Sequence, residues 1–221
     1  MAHVVDVPLQ EAGNITGLLN LDVSMGGKWL QLLLEIAPGI KRAAAMFHPD
    51  TSTAPASGFS LSSYVPTGAA SYYIPSFEAA ARSLGVEPIT APVYSGTEIE
   101  TVITSLGREP RGGLVVMPES GFMLARRAQI IRLAARNNVP AIYNDSVYVR
   151  GGGLLSYGTN RADITRRSAS FVDRILKGEK PTNAPVQAPV NFQMALNTRT
   201  ANALGLTVLP TILLLANEVI Q

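Results

Sequence analysis

Cysteine is absent from this 221-residue chain, which excludes disulfides, thiolate nucleophiles and cysteine-ligated metals at once. Histidine is nearly as scarce. His3 and His48 are the two imidazoles present, and His3 sits close to a terminus. A serine–histidine–carboxylate triad would have to be built on His48, and no Gly-x-Ser-x-Gly elbow accompanies it. Neither a His-x-x-x-His pair nor an Asp-x-Asp-x-Asp-Gly loop occurs, so no dedicated metal site is expected. Charge is thin as well: 15% of residues are Asp, Glu, Lys or Arg, against about 25% in ordinary globular chains. With 18 basic and 16 acidic residues the net charge is +2, which leaves no nucleic-acid footprint. A long apolar run is also missing. The stretch Leu204 to Ala216 is interrupted by Gly205, Thr207, Pro210 and Thr211, too short and broken to span a bilayer. Met1 to Asp6 shows no basic region leading into an apolar one, so no signal peptide is expected.

What the chain does have is apolar content, at 47%. Disordered chains are poor in apolar residues and rich in charge, so disorder is excluded, and the length suffices for a real core. That length lies between one and two domains of about 150 residues.

Along the chain a short apolar strand followed by an amphipathic helix recurs. Arg42 to Phe47 reads as a strand, ended by His48-Pro49-Asp50. Pro75 to Leu84 reads as a helix, with Phe77, Ala80, Ala81 and Leu84 on one face and Gly85 as its stop. Val86 to Val93 is a second strand. Thr97 to Leu106 is a helix opened by a Thr97…Glu100 capping box. Leu114 to Met117 is a buried strand cut off by Pro118, Gly121 to Asn137 a helix, and Pro140 to Tyr143 a strand stopping at Asn144-Asp145. Asp163 to Leu176 forms a basic amphipathic helix, its apolar members being Ile164, Ala169, Phe171, Val172 and Ile175. Continuous apolar strands alternating with helices predict a doubly wound α/β fold around a parallel sheet. Two regions break the rhythm. Thr51 to Ser71 reads as a loop, at about 20 residues longer than usual connections. Gly178 to Pro189 reads as an extended crossover.

The glycine strings Gly112-Gly113 and Gly151-Gly152-Gly153 match neither Gly-x-Gly-x-x-Gly after a strand nor a phosphate loop ending in Gly-Lys-Ser/Thr. Each precedes a strand, so each reads as a tight turn, and no cofactor is expected. The remaining signal is positional. Ligands of open parallel sheets bind beyond the carboxyl ends of the strands. Three strand ends carry polar clusters in equivalent places: His48-Pro49-Asp50-Thr51, Pro118-Glu119-Ser120 and Asn144-Asp145-Ser146. Asp50 and Ser120 serve equally well as helix or turn caps. Taken together, and flanked by Phe47, Met117 and Tyr143, the clusters read as one wall of a small-molecule site. Carboxylates beside aromatics suit a ligand with an ammonium group and an apolar body.

Several segments now align with a known family. Gly13-Asn14-Ile15-Thr16-Gly17, Phe77 to Val86, Pro118-Glu119, Arg136 to Tyr143 and Gly152 to Gly158 resemble the ABC-transporter substrate-binding proteins often described as uncharacterised periplasmic components, which include tryptophan- and phenylalanine-type binders. Arg174 to Pro181, Pro185 to Val190 and the closing Leu196 to Leu206 extend the resemblance over nearly the whole chain. It implies a type I periplasmic-binding-protein fold, in which a solute is trapped between two hinged α/β lobes. The chain then reads as residues 1–12 from the N-terminal lobe or hinge, residues 13–150 and 187–221 as the C-terminal lobe, and residues 151–186 as a crossover whose helix packs on the N-terminal lobe. On this reading most of the N-terminal lobe is expected to be missing from the sequence.

The resemblance implies a solute-binding component, or a truncated form, of an ABC-type importer, with no catalytic role and no cofactor. The ligand-binding candidates are Phe47, His48, Asp50, Thr51, Pro118, Glu119, Ser120, Tyr143, Asn144, Asp145, Ser146 and Tyr157. Phe47, Tyr143 and Tyr157 are equally readable as packing. The implied partners are a small-molecule solute such as an amino acid, an ABC permease, and a second copy of the chain through surface that the N-terminal lobe would cover. Half a clamshell offers half the contacts, so weak solute binding is expected of the chain as given. The implied location is periplasmic; expressed as given, without a signal peptide, the chain would be cytoplasmic. Two other readings stand beside this one: an effector-binding or oligomerisation module of a regulator, and a Rossmann-like enzyme using Glu119, Asp145 or His48 as acid–base groups.

Overall fold

The alternating strands and helices assemble as expected in the computed structural model of the chain, which describes residues 16–20, 22–49, 69–108, 111–118 and 121–221. Packing divides the chain into two units, Met1–Asp22 with Thr159–Phe192 and Val23–Gly158 with Gln193–Gln221. The larger unit opens with α1 (Met25–Ile36), β1 (Arg42–Phe47), α2 (Ala69–Ser83), β2 (Glu87–Pro92), α3 (Gly96–Arg108) and β3 (Gly112–Val116). It continues through α4 (Phe122–Ala125), α5 (Arg127–Arg136), β4 (Ala141–Tyr143), α6 (Ser146–Arg150) and β5 (Leu155–Thr159). In the smaller unit lies α7 (Arg161–Leu176), and the chain then returns through β6 (Phe192–Asn197), α8 (Thr198–Ala203), α9 (Pro210–Leu215) and β7 (Glu218–Ile220).

Among the described residues the strands form one seven-stranded sheet in the order β2-β1-β3-β4-β5-β6-β7. From β2 to β5 every pairing is parallel and in step. Ala91, Met46, Val116, Tyr143 and Ser156 stand abreast in a single row. The sheet is buried on both faces, as a parallel sheet flanked by crossover helices must be. On one face Ala44, Met46, Leu114, Val116 and Tyr143 pack with Ile99, Ile103 and Leu106 of α3 and Ile130, Leu133 and Ala134 of α5. The opposite face meets α1: a Cβ on Gly113 would lie 3.2 Å from a Leu33 methyl and 2.7 Å from Ile40 Cδ1.

Helices α1 and α2 touch backbone to backbone. A Cβ on Gly26 would fall 2.2 Å from Tyr73 O and 2.6 Å from Ser76 Oγ, so the crossing excludes any side chain there. Ser76 Oγ in turn donates to Val23 O, and the Trp29 and Tyr73 rings meet edge to face at 5.1 Å. The chain's lone tryptophan is buried, and its indole N–H donates to Tyr157 O at 2.6 Å.

In the smaller unit, α7 begins at Asn160, whose Oδ1 accepts from Asp163 N at 3.0 Å. Asp163 also pairs with Arg166 and Arg167. Phe171 is the buried member of its apolar set, while Ala169 and Val172 are exposed. Leu18 forms a parallel bridge with Gln187, placing the expected crossover beside the described N-terminal residues.

The structure departs from the sequence-based expectations at several points. Strand β6 is antiparallel to β5, since Asn197 N donates to Leu154 O while Asn160 N donates to Asn191 O. The sheet is therefore mostly rather than wholly parallel. Gly112 and Gly113 lie inside β3, where Leu106 O and Ile40 leave no room for a Cβ, and the reversal before them falls on Arg111 at φ 79°. The α3 box is two residues earlier than expected: Ser95 Oγ accepts from Glu98 N, and the Glu98 carboxylate accepts from Tyr94 N. The expected 121–137 helix is broken at Arg126, whose N–H closes α4 on Met123 O at 3.1 Å. Helix α2 starts six residues before Pro75 and carries it inside, and Leu84 lies beyond its end, 46% exposed. The rest of the expected 51–71 loop lies outside the described residues.

Gly26→Ala is expected to destabilise the chain by about 2 kcal/mol or more, because helix backbone rather than a flexible side chain occupies the new methyl's place. Gly39→Ala, with nothing within 4 Å of the added atom, is expected to be near neutral. Urea denaturation midpoints followed by Trp29 fluorescence check both.

Candidate functional site

Because β1 to β5 are parallel, their carboxyl ends share one edge of the sheet. The chain runs from β1 outward to β2, then crosses back to β3 and continues to β5. The strand order thus reverses between β1 and β3, and a crevice opens where the loops leave an open sheet in opposite directions. The expected polar clusters follow β1, β3 and β4, which brings their described members to that edge.

Phe47 is the last residue of β1, half-buried, its carbonyl accepting from Val93 N at 2.8 Å. His48 follows, half-buried. Its ring lies 4.3 Å from that of Phe122, tilted by 33°, and 5.8 Å from that of Tyr94. Pro118 is half-buried two residues beyond β3. Asp50, Thr51, Glu119 and Ser120 lie outside the described residues.

Past β4, Asn144, Asp145 and Ser146 are all half-buried. Asp145 caps α6, its Oδ1 accepting from Val147 N at 2.9 Å. Asn144 is held from the other side, since a Cβ on Gly158 would come 1.9 Å from Asn144 O. The exit of β5 therefore rests directly on the turn that follows β4. Tyr157, one residue earlier, is half-buried and gives its carbonyl to Trp29.

Tyr143 turns out to be a packing residue. It is 1% exposed and stacks on Tyr148 at 4.7 Å with the rings 11° apart. Burial, and to a lesser degree Tyr148 beside it, pushes its phenol above the ordinary tyrosine range, so the hydroxyl stays neutral at any physiological pH. Gly153 makes room for this stack, with a would-be Cβ 2.6 Å from Tyr143 Cε2.

Three neighbours at this edge were not among the sequence candidates: Tyr94, Phe122 and Arg126. Tyr94 stands two residues past β2, the place that polar clusters hold after β1, β3 and β4. Applying the strand-end rule to β2 finds it. Arg126 lays its guanidinium carbon 3.7 Å from the Phe122 centroid, and its Nη1 donates to Phe122 O at 3.3 Å. No group of three or more metal-ligating side chains occurs among the described residues. No helix there is long and apolar enough to cross a membrane.

A doubly wound sheet ordered 2-1-3-4-5, with an antiparallel return strand and a polar carboxyl edge, is the architecture of a type I periplasmic-binding-protein lobe. Solved structures with this fold bear that out. A conserved domain protein from Vibrio cholerae superposes with a TM-score of 0.75 at 19% identity, over 95% of this chain and 64% of its own. An ABC domain from Streptococcus pneumoniae in complex with L-Trp gives 0.71 at 20% identity, covering 88% of this chain and 60% of that one. A ligand-free, open substrate-binding protein with adhesive properties from Clostridium difficile gives 0.65 at 20% identity, covering 93% and 62%. This chain thus spans less than two thirds of the length of each of the three. Comparison with curated proteins gives no match. A family model described as ABC transporter substrate binding protein matches residues 1–220. The chain belongs to that family.

Gly158→Ala is expected to push the Asn144–Ser146 turn off the β5 exit and to cost about 1–3 kcal/mol. Amide shifts at residues 143–148 as well as around position 158 in a ¹⁵N–¹H spectrum, with a lowered melting temperature, are the expected readout.

Proposed function

We propose that the chain is a solute-binding component of an ABC-type importer, taking up a small organic molecule such as an amino acid at the carboxyl edge of its sheet. An ABC permease is its partner in this reading, and the periplasm or cell exterior its place of work. The observation that carries it is that the described members of three strand-end clusters share one edge of the sheet, two of the clusters flanking the strand-order reversal, in a chain matched by the substrate-binding family from residue 1 to 220. The L-Trp complex of the Streptococcus pneumoniae domain supports an amino acid as the solute class to test first. Membership of a substrate-binding class favours binding over catalysis, and the family match favours transport over regulation.

The binding residues in this reading are Phe47, His48, Pro118, Asn144, Asp145, Ser146 and Tyr157. Asp145, one oxygen of which caps α6, is the carboxylate that answers a ligand ammonium group in this reading. Saturation-transfer NMR with L-leucine, L-tryptophan and D-ribose tests the proposal, because it detects the weak affinities that one wall of contacts supplies. Transfer to at least one amino acid, reduced severalfold by His48→Ala, is the expected result. Silence from all three probes at millimolar concentration would sink the proposal.

Self-association is part of the same reading. Val172 and Leu176 of α7 are 55% and 81% exposed, a large apolar pair for one helix to leave in water. Sedimentation equilibrium is expected to show dimer or higher species at high micromolar concentration, reduced by Leu176→Lys. A monomer throughout that range would count against it.

A further inference from the structure

Residues 200–217 contain no Asp, Glu, Lys or Arg, although such side chains make up 15% of the chain. Helix α9 lies in this stretch, and its last four residues, Ile212-Leu213-Leu214-Leu215, are all large and aliphatic. Successive residues point about 100° apart around a helix, so these four cover its whole circumference. A helix that is apolar on every side is one that packs on every side. Of the four, Ile212 is buried, whereas Leu213, Leu214 and Leu215 are 40%, 86% and 59% exposed. Leu209, one turn before Leu213, is 49% exposed, and Val219 of β7 is 38% exposed.

These side chains stand on a fixed element. Just past α9, Asn217 N donates to Met194 O at 2.9 Å, and Asn217 Oδ1 accepts from Met194 N at 2.8 Å. Arg150 then grips the Glu218 carboxylate through Nε and Nη2, at 2.8 and 2.7 Å. Thr198 Oγ1 donates to Ile220 O at 3.0 Å. With Ile212 buried and the chain clasped directly beyond it, no rotation of α9 hides three consecutive leucines at once. Strand β7 is also the end of the sheet, with no strand on its outer side among the described residues. At the opposite end β2 carries Pro88 and Pro92, which have no N–H to offer another strand, while β7 carries no proline.

We propose that α9 and β7 form a face that docks a second copy of this chain, α9 against α9 across a two-fold axis. The area fits that occupant. Leu209, Leu213, Leu214, Leu215 and Val219 leave about 500 Å² in water, the size at which a patch marks an interaction site. A standard interface takes about 800 Å² from each partner, about 65% of it apolar in homodimers, so the patch supplies nearly the whole apolar share. The chemistry fits too. A patch without charge is complementary to itself, as a two-fold contact requires. A lipid surface would call for Lys or Arg beside the leucines, and residues 200–217 hold neither. The inference stands apart from the solute-binding reading and concerns the larger unit rather than α7.

The test uses the whole chain carrying Leu176→Lys, so that α7 adds nothing to association. Sedimentation equilibrium up to high micromolar concentration is expected to show a dimer. Adding Leu214→Glu is expected to raise its dissociation constant about tenfold or more, and Leu214→Ala to raise it less. Leu214 is the most exposed of the set, so both substitutions leave the fold standing, which near-UV circular dichroism checks. Because the chain has no cysteine, a nitroxide on Thr211→Cys labels α9 alone. Pulsed electron resonance is expected to give one intermolecular distance below about 30 Å, as for helices packed at 8–10 Å, and to lose it in Leu214→Glu. A monomer throughout the range, a dimer unchanged by Leu214→Glu, or labels far apart in the dimer overturns the proposal. A monomer that co-sediments with phosphatidylcholine–phosphatidylglycerol vesicles gives the face to a lipid surface and overturns it as well.

Discussion

Helix α1 comes against α2 only because Gly26 presents no side chain to Tyr73 O, and a line of contacts from that crossing reaches the carboxyl edge. The crossing sets the height of α1, and with it the position of Trp29 one turn further on. Trp29 spends its indole N–H on Tyr157 O, which pins the end of β5. The next residue, Gly158, lies flat on Asn144 O. Asn144 begins the turn whose Asp145 caps α6. A packing constraint between two helices thus fixes the backbone of a polar turn on the sheet's far strands. The stiffness bears on the proposed site, because a surface ordered in advance spends no binding energy on ordering itself.

A second constraint is the in-step parallel ladder. Ala91, Met46, Val116, Tyr143 and Ser156 end up abreast because each strand is short and each crossover returns to the same level. Polar residues placed just after that row have to collect on one edge, whatever their identity. The reversal of strand order then parts the loops after β1 and β3, and the strand-end residues gain access to solvent that a continuous order would deny them.

Much of this was legible in the residues alone. Arg42 to Phe47 is a strand with the expected bounds, since an apolar run closed by His-Pro-Asp has no other reading. The α/β class followed from the alternation itself. What escaped was what lacks local punctuation. Helix α1 carries two glycines near its start, which mask its helical character until α2 is there to fill the space. The break at Arg126 involves neither proline nor glycine, and it depends on a guanidinium folding back over Phe122. Strand β6 could be no more than a piece of the closing segment, because its pairing partner β5 lies more than thirty residues earlier. Gly112 and Gly113 looked like a turn for the same reason: local reading assigns glycine to backbone freedom, while here it answers the bulk of Leu106, Leu33 and Ile40.

The candidate site shows the same division, and strand parity explains it. Side chains alternate faces along a strand, so residues two apart share one. Tyr143 is in the last row of the ladder and points with Met46 and Val116 into the layer of α3 and α5, where Tyr148 receives it. An aromatic at a strand end is therefore not thereby at the edge. His48 has the parity of Met46 but lies two residues on, half-buried, and its ring meets Phe122, which packs against the margin of that layer. On β2 the residue in that relation is Val93, which is buried, and Tyr94 lies one residue further on. The strand-end rule is right about which segment reaches the edge; whether a given side chain opens to solvent there depends on its distance past the last row. On β1 two residues are enough to leave His48 half-buried, whereas on β2 Val93 is still covered by the helix layer and the chain opens to solvent at Tyr94.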